Sequence, residues 1–238
     1  MDTYISPVKT AAIIQIMEQI VETRDWKRSR GIPVESNKCR VCGSYKENVQ
    51  HILAGCKVLA GNEYLVRHNQ ALMVFAVQWA KMKGLLMEDI KWYKEKWETG
   101  KVLENENCKI IWDFQFRLIK TEKARRPDLI FEDKEERQIF IIDMAVPMEM
   151  NVEKKRRSKL RKYQQLAHEI RMRRPGFKVY IIPLIIGCCG RGADDTLLQL
   201  KKFFSERMSM GIIREMLKTV VTHSESIIRK VISGLIQA

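Results

Sequence analysis

Two long stretches of the chain have the hydrophobic spacing of amphipathic helices. Apolar residues recur every three or four positions over about residues 5–24 and again from about Glu63 to Lys83, a period that places them on one helix face. The first stripe consists of Ile13, Ile14, Ile16, Met17, Ile20 and Val21. The second consists of Leu65, Leu72, Phe75, Ala76 and Trp79. We expect one helix in each stretch.

Strand patterns occupy the middle of the chain. From Trp112 to Leu118, large apolar residues alternate with polar ones, which is typical of a half-buried strand. Residues 128–131 and 138–146 are apolar runs on either side of a polar turn at 132–136, and another apolar run covers 178–186. We expect a strand in each of these runs.

A strongly basic segment separates the last two strands. Residues 152–173 fit a helix that is closed by Pro175-Gly176, so the final strand can return parallel to its neighbour after a crossover. Further helices are predicted at about 194–208, 211–220 and 224–236. The predicted fold class is α/β (α+β), with a mixed sheet flanked by helices.

Composition supports a folded protein with a polyanionic partner. The chain has 238 residues, 45% of them hydrophobic, and a formal net charge of +14. Such a charge favours nucleic acid first and an anionic membrane surface second, although excess basic residues can also serve solubility alone. The longest apolar run, Tyr180–Cys189, is far shorter than the roughly 20 residues that span a bilayer. With no signal peptide in its first residues, we expect a soluble, intracellular protein without a membrane partner.

Three cysteines and one histidine lie within a short segment. Two residues separate Cys39 from Cys42, and four residues separate His51 from Cys56. A Cys-x2-Cys turn, a histidine and a third cysteine can close a tetrahedral Zn²⁺ site. The alternative is a chance grouping of buried thiols and an imidazole, which the spacing disfavours. Four protein ligands leave no open position, so we expect this zinc to be structural.

Two aspartates have apolar neighbours on the predicted strands. Asp128 follows Pro127, and Asp143 lies inside the run 138–146, where an unpaired carboxylate is costly. An antiparallel hairpin centred near residue 135 would bring both acids to one end of the sheet, as a site for a divalent cation and a phosphodiester. Taken singly, Asp128 could cap a turn and Asp143 could form a salt bridge.

The predicted basic helix contains two lysines that could approach these acids. Lys159 and Lys162 lie three residues apart and therefore on one helix face. Tyr163 and Leu166 continue the apolar stripe, which turns both lysines towards the sheet. Most of the charge run 154–162 is expected to be solvated surface, and that remains the alternative for the two lysines.

In combination, these elements resemble the restriction-enzyme-like endonuclease of site-specific non-LTR retrotransposons, within the PD-(D/E)XK nuclease superfamily. The likeness covers about residues 30–190. It rests on Pro127-Asp128, Asp143, Lys159-x-x-Lys162-Tyr163, the Cys39/Cys42/His51/Cys56 knuckle, the triplet Arg67-His68-Asn69 and the glycines Gly187, Gly190 and Gly192. No single element is specific on its own.

The sequence departs from the family pattern in three respects. The superfamily often has a lysine two residues after its second acid, where this chain has Ala145, so Lys159 or Lys162 becomes the candidate. The triplet ends in Asn69, where an acid is common. The family enzyme is normally the C-terminal part of a polypeptide with a reverse transcriptase, and no polymerase fits in 238 residues. We therefore expect a fragment or a derived remnant.

The resemblance implies a metal-dependent endonuclease that nicks target DNA for retrotransposition in the nucleus. Asp128 and Asp143 would hold Mg²⁺ or Mn²⁺, with the Met144 carbonyl as a third ligand. Lys159 or Lys162 would orient water or stabilise developing charge. His68 would position water or phosphate, although a lone histidine is more often structural. The arginines expected to contact the DNA backbone are Arg67, Arg126, Arg156, Arg157 and Arg161.

The implied organisation has four segments. They are an N-terminal helix (1–30), a CCHC zinc knuckle (31–61), the endonuclease domain (62–192) and C-terminal helices (193–238). Duplex DNA is the expected partner, with element RNA or a reverse transcriptase domain as further candidates. Two other functions stay open: a catalytically inactive DNA-binding module, and a zinc-stabilised interaction domain.

Overall fold

A five-stranded mixed sheet forms the centre of the protein. The computed structural model describes residues 5–116 and 125–236. The strands are β1 (Val102–Glu104), β2 (Cys108–Trp112), β3 (Leu129–Asp133), β4 (Gln138–Ala145) and β5 (Lys178–Ile185). They are neighbours in that order, and every pair is antiparallel except β4 and β5, which are parallel. The predicted fold class is confirmed, and β1 is a strand that the sequence pattern did not predict.

Seven α-helices surround the sheet in the described residues. They are α1 (Pro7–Met17), α2 (Arg24–Ser29), α3 (Lys57–Ala60), α4 (Glu63–Met82), α5 (Val152–Arg173), α6 (Ala193–Leu200) and α7 (Glu206–Ile232). α4, α6 and α7 share an apolar core with one sheet face, in which Trp79 stacks on Phe131 at 4.1 Å between ring centroids. α5 covers the other face through Tyr163, Leu166 and Ala167. Because both faces are covered, β3 and β4 are buried along nearly their whole length.

The β3–β4 hairpin has the predicted position but a shorter turn. β3 continues through Glu132 and Asp133, which the polar pattern assigned to the turn. Their charges are tolerated inside the structure because each carboxylate has a cation: Arg174 contacts Glu132, and Lys83 Nζ lies 2.6 Å from Asp133 Oδ2. The turn itself contains Arg137 at φ 51°.

The N-terminal prediction of one helix over residues 5–24 is wrong. α1 ends at Met17, and Gln19 adopts a φ of 55° that a helix does not allow. The Thr23 hydroxyl then accepts a hydrogen bond from the Trp26 N–H and starts α2. Of the predicted apolar stripe, only Ile16 is buried.

The strand predicted from Trp112 onwards is displaced towards the N-terminus. β2 ends at Trp112 because Asp113 adopts a φ of 50°. Phe114 is exposed beyond that bend, and Phe116 forms only an isolated bridge with Arg125. Leu118, the last residue of the predicted pattern, lies outside the described residues.

The C-terminal region contains one long helix where two were predicted. α7 runs without a break from Glu206 to Ile232, after a Ser205 cap. The second of these helices was predicted to begin at Ser224, but Ser224 lies inside α7, and its hydroxyl accepts a hydrogen bond from the buried Arg67 guanidinium. Ile227 and Ile228 of α7 belong to the same apolar cluster as the Cys/His segment. No helix within the described ranges is long and apolar enough to cross a bilayer.

Candidate active site and zinc knuckle

Asp128 and Asp143 face each other at the open end of the β3–β4 hairpin. Leu129 pairs with Ile142, so the antiparallel register puts Asp128 across from Asp143, and opposite residues point to the same face. The N–H of Met144 donates to Asp128 Oδ2 at 2.6 Å. This bond fixes the Asp128 carboxylate beside β4, and the hairpin thus brings the two acids together as its predicted geometry requires.

His68, from α4, lies on the Asp128 side of the site. Its Nε2 is 3.1 Å from Asp128 Oδ2 and 3.3 Å from the Met144 carbonyl oxygen, and its Nδ1 is 2.9 Å from Asn69 Oδ1. Burial lowers the pKa of His68, but the charge and hydrogen bond of Asp128 outweigh it and raise that pKa to about 9. His68 is therefore an imidazolium at neutral pH and forms an ion pair with Asp128.

Lys159 and Tyr163, from α5, contact the other acid. Lys159 Nζ contacts Asp143 Oδ2, and the Tyr163 hydroxyl donates to Asp143 Oδ1. Lys162 Nζ is further away, 3.7 Å from Asp143 Oδ1, and donates to the Tyr163 oxygen at 2.6 Å. Of the two candidate lysines, Lys159 is the one in direct contact with the acid pair.

The pKa values of the two carboxylates are shifted in opposite directions. The Asp143 side chain is only 2% exposed, and burial together with the negative charge of Asp128 raises the pKa of Asp143. Burial also acts on Asp128, but His68 and then Lys159 keep the pKa of Asp128 below its ordinary value. The negative charges of the two carboxylates repel each other in this partly buried site, and a cation bound between them would relieve that repulsion.

The donor set suits a hard divalent cation. Asp128 Oδ2 and the Met144 carbonyl oxygen converge on His68 Nε2, at 3.1 and 3.3 Å, and Asp143 faces Asp128 across the hairpin. Carboxylate and carbonyl oxygens are the ligands that Mg²⁺ and Mn²⁺ prefer. The residues present therefore fit such a metal, with the His68 imidazolium as its competitor for Asp128 and the Met144 carbonyl, and the Lys159 ammonium as its competitor for Asp143.

The Cys/His segment forms a compact group of potential metal ligands. One ligand atom from each of Cys39, Cys42, His51 and Cys56 lies within 4.8 Å of all the others. Cys39 and Cys56 are buried, and Cys42 Sγ is 3.3 Å from His51 Nε2. Three thiol sulfurs and one imidazole nitrogen form a donor set that suits tetrahedral Zn²⁺. The cluster can hold a zinc ion, as its spacing predicts.

A buried glutamate braces this knuckle, and the sequence pattern did not identify it. Glu47 is fully buried and accepts hydrogen bonds from the N–H groups of Arg24 and Arg40 at 3.0 and 2.9 Å. The Arg40 guanidinium binds the same carboxylate and donates to the Ile232 carbonyl at 2.7 Å. Glu47 and Arg40 thus connect the knuckle to the end of α7.

Arg67 lies in the interior, between the knuckle and α7. Only 2% of its surface is exposed. Its guanidinium donates to Ser224 Oγ at 3.0 Å and to the Leu53 carbonyl at 2.8 Å. These contacts give Arg67 a structural role that holds α4, α7 and the knuckle together.

The other four predicted DNA-contacting arginines lie nearer the surface. Arg126 forms an ion pair with Asp113 at 2.5 Å, and Arg156 forms one with an aspartate of α6 at 2.8 Å. Arg157 and Arg161 are exposed on α5. Arg126, Arg157 and Arg161 are thus the exposed residues among the five, and Arg157 also pairs with Glu153 at 3.0 Å.

Comparisons with known proteins give little guidance. No family model matches the chain, and no curated protein matches it. Among solved structures, an N-terminal domain of a reptarenavirus L protein is similar at 12% sequence identity and a TM-score of 0.31, over 88% of this chain and 94% of that chain. A score that low establishes neither a shared fold nor a shared function, so a functional inference has to rest on the site.

Proposed function

We propose that this chain is a divalent-metal-dependent endodeoxyribonuclease of the PD-(D/E)XK superfamily. The observation that carries the proposal is the facing position of Asp128 and Asp143, with the Lys159 ammonium on the second carboxylate. Two acids can hold a divalent ion that assists phosphodiester hydrolysis, and a lysine beside them can stabilise the developing negative charge. In this chain they come from the hairpin and from the helix that follows it.

Each residue of the site has a distinct role in the proposed reaction. A Mg²⁺ or Mn²⁺ ion held by Asp128, Asp143 and the Met144 carbonyl would polarise the scissile phosphate and lower the pKa of a bound water. Lys159 stabilises the negative charge that develops on the phosphate. His68, as an imidazolium, holds the Asp128 carboxylate in place, and its positive charge would help to position the phosphate.

The helix lysine compensates for the absence of a lysine on the strand. Ala145 stands where the superfamily often has its lysine, two residues after Asp143. Lys159 reaches Asp143 from α5, which packs along β4 and β5. We therefore assign the catalytic lysine to Lys159 and a supporting position to Lys162.

The proposed substrate is duplex DNA, at a target site of a non-LTR retrotransposon in the nucleus. Support comes from the net charge of +14 and from the exposed basic residues of α5, with Arg157 and Arg161 among them. These side chains would contact phosphates and would position the duplex without reading its sequence. Element RNA or a reverse transcriptase domain would be the further partners.

A plasmid-nicking assay tests the proposal. We expect the full chain to convert supercoiled DNA to open circles with Mg²⁺ or Mn²⁺ and not without a divalent ion. Asp143→Ala should abolish nicking while DNA binding stays largely intact. Glu135→Gln, an exposed acid in the turn at the opposite end of the same hairpin, is the matched control and should nick normally. An unchanged cleavage rate in Asp143→Ala would overturn the assignment.

One observation favours a second candidate, an inactive DNA-binding module. Lys159 and Tyr163 engage both oxygens of Asp143, and such a buried ion pair can be purely structural. The same assay separates the candidates. A module without activity would bind DNA in a strongly salt-dependent manner and would show no metal-dependent nicking in either the parent chain or Asp143→Ala.

A further inference from the structure

A groove extends from His68 and Lys159, which contact the acid pair, to the face of the zinc knuckle. It consists of two cavities, with volumes of about 320 and 400 Å³, that share Ala54, Met148 and Asn151 and are therefore contiguous. His68 lines the end near the acids, and Tyr45 lines the end on the knuckle. We call this feature the knuckle groove. Each of its halves is within the roughly 300–1,000 Å³ of ligand sites, so each can hold a nucleotide-sized group.

The lining of the knuckle groove favours an anionic ligand. The chain has 29 acidic residues, yet among the described residues none that lines either cavity is an aspartate or a glutamate. Lys155 and Lys159 line the half near the acids, and Lys46 lines the half on the knuckle. Within the described residues of the groove lining, Lys46 and Lys155 have no carboxylate to compete with, and Lys159, although it is paired with Asp143, adds positive charge at that end. The lining therefore attracts a chain of phosphates.

The knuckle end also offers surfaces for bases. Tyr45 is 57% exposed, and its ring lies 5.5 Å from the His51 ring, centroid to centroid. Met150, which is 63% exposed, lines the same cavity, as do the side-chain amides of Asn48 and Gln50. An exposed aromatic ring among basic and amide side chains is a stacking platform for an unpaired base.

We propose that the knuckle groove binds a single nucleic-acid strand that continues from the scissile phosphate towards the knuckle. Lys155 and Lys46 would bind successive phosphates, and Tyr45 would stack on one base. This inference rests on the proposed nuclease function, because it places the scissile phosphate at the acid pair. The zinc knuckle, by holding Tyr45 and Lys46, would then form part of the substrate site as well as stabilise the fold.

A single strand fits the knuckle groove better than a duplex does. The two cavities are ligand-sized and connected end to end through Ala54, Met148 and Asn151, an arrangement that suits nucleotides in sequence. Base stacking on an aromatic ring also requires a face that base pairs inside a duplex do not offer.

Equilibrium binding to labelled DNA tests this inference apart from cleavage. There are three probes: a blunt duplex, the same duplex with a six-nucleotide single-stranded tail at one end, and the duplex with that tail at the other end. The buffer retains zinc and contains no Mg²⁺. We expect the parent chain to bind one of the tailed duplexes about fivefold or more tightly than the blunt one. Tyr45→Ala should remove most of that preference and leave blunt-duplex binding unchanged, and Lys155→Gln should weaken binding of the tailed duplex more than binding of the blunt one.

Two further variants keep the test interpretable. Tyr45→Phe retains a stacking ring and should keep the preference, while Tyr93→Ala, which removes an equally exposed tyrosine outside the groove, should change nothing. Zinc content measured on Tyr45→Ala confirms that its knuckle is intact. Equal binding of tailed and blunt duplexes by the parent chain would overturn the inference, as would a loss in Tyr45→Ala that affects both probes alike.

The inference and the proposed function fail in different ways. Metal-dependent nicking without any preference for a tail would leave the nuclease in place and remove the strand-binding groove. A preference for a tail that requires Tyr45, together with no nicking, would remove the nuclease assignment and show a groove that binds single strands in its own right.

Discussion

The Tyr163 hydroxyl donates a hydrogen bond to the Asp143 carboxylate, and this contact ties α5 to β4 at the acid pair. Tyr163 is fully buried, and burial together with the charge of Asp143 raises the pKa of its hydroxyl, so it remains a neutral donor at physiological pH. It lies one helical turn after Lys159. The tyrosine therefore positions the acid whose other oxygen Lys159 contacts.

Removal of the Tyr163 hydroxyl should weaken metal use more than it weakens the fold. We expect Tyr163→Phe to raise the Mg²⁺ concentration for half-maximal nicking by roughly 10–100-fold, as loss of an outer hydrogen bond to a metal ligand typically does. Metal titration of the nicking rate measures this. Tyr180→Phe, on the surface of β5, is the control. A lower melting temperature with an unchanged metal requirement would restrict Tyr163 to a structural role.

The two lysines of α5 should differ in their contribution to cleavage. Lys159→Ala removes the cation in direct contact with Asp143, and we expect a loss in nicking rate of about 100-fold or more. Lys162→Ala removes a side chain that reaches Asp143 mainly through Tyr163, so its loss should stay below about tenfold. Single-turnover nicking rates compare the two variants, and the reverse order would contradict the assignment of Lys159.

The Cys/His cluster should bind one zinc ion that the fold requires. We expect Cys56→Ala to lose zinc and to lower the melting temperature substantially, because the knuckle shares an apolar cluster with α7. Cys189→Ala, which changes a cysteine outside the ligand group, should retain the metal. Elemental analysis of the purified variants, with thermal unfolding, measures both effects. A zinc-free parent chain with the same melting temperature would contradict the prediction.

The Asp133–Lys83 pair should make stability depend on pH in the acidic range. Burial raises the pKa of Asp133, but the hydrogen bond from Lys83 outweighs it and lowers the pKa below the ordinary value. Because the folded-state pKa is lowered, the stabilisation is present above about pH 4 and is lost as pH falls through the folded-state value. The difference in free energy of unfolding between the parent chain and Asp133→Asn should therefore shrink on acidification.

Much of the central architecture followed from the sequence because its patterns are local. α5 has the predicted bounds of residues 152–173, since its apolar stripe persists within the basic run. The β3–β4 hairpin and the parallel return of β5 followed from apolar runs and from the helix between them. The acid pair could be predicted for the same reason, because the register of the hairpin places Asp128 across from Asp143.

The errors arose where tertiary contacts override local pattern. α7 continues through Ser224 because Arg67 binds that hydroxyl, from a residue 157 positions away. β3 extends through Asp133 because Lys83 compensates its charge. The choice between Lys159 and Lys162, and the part that Tyr163 plays, likewise depend on how α5 is rotated against the sheet, which sequence spacing does not determine.

A crystal of the full chain soaked in Mn²⁺ tests the central claim most directly. We predict an anomalous difference peak between Asp128 and Asp143, with carboxylate oxygens from both residues and the Met144 carbonyl at about 2.1 Å from the ion. The Lys159 ammonium should move away from Asp143 Oδ2 to make room for it. Separated carboxylates, or a peak that contacts neither acid while Lys159 still occupies Asp143, would contradict the account.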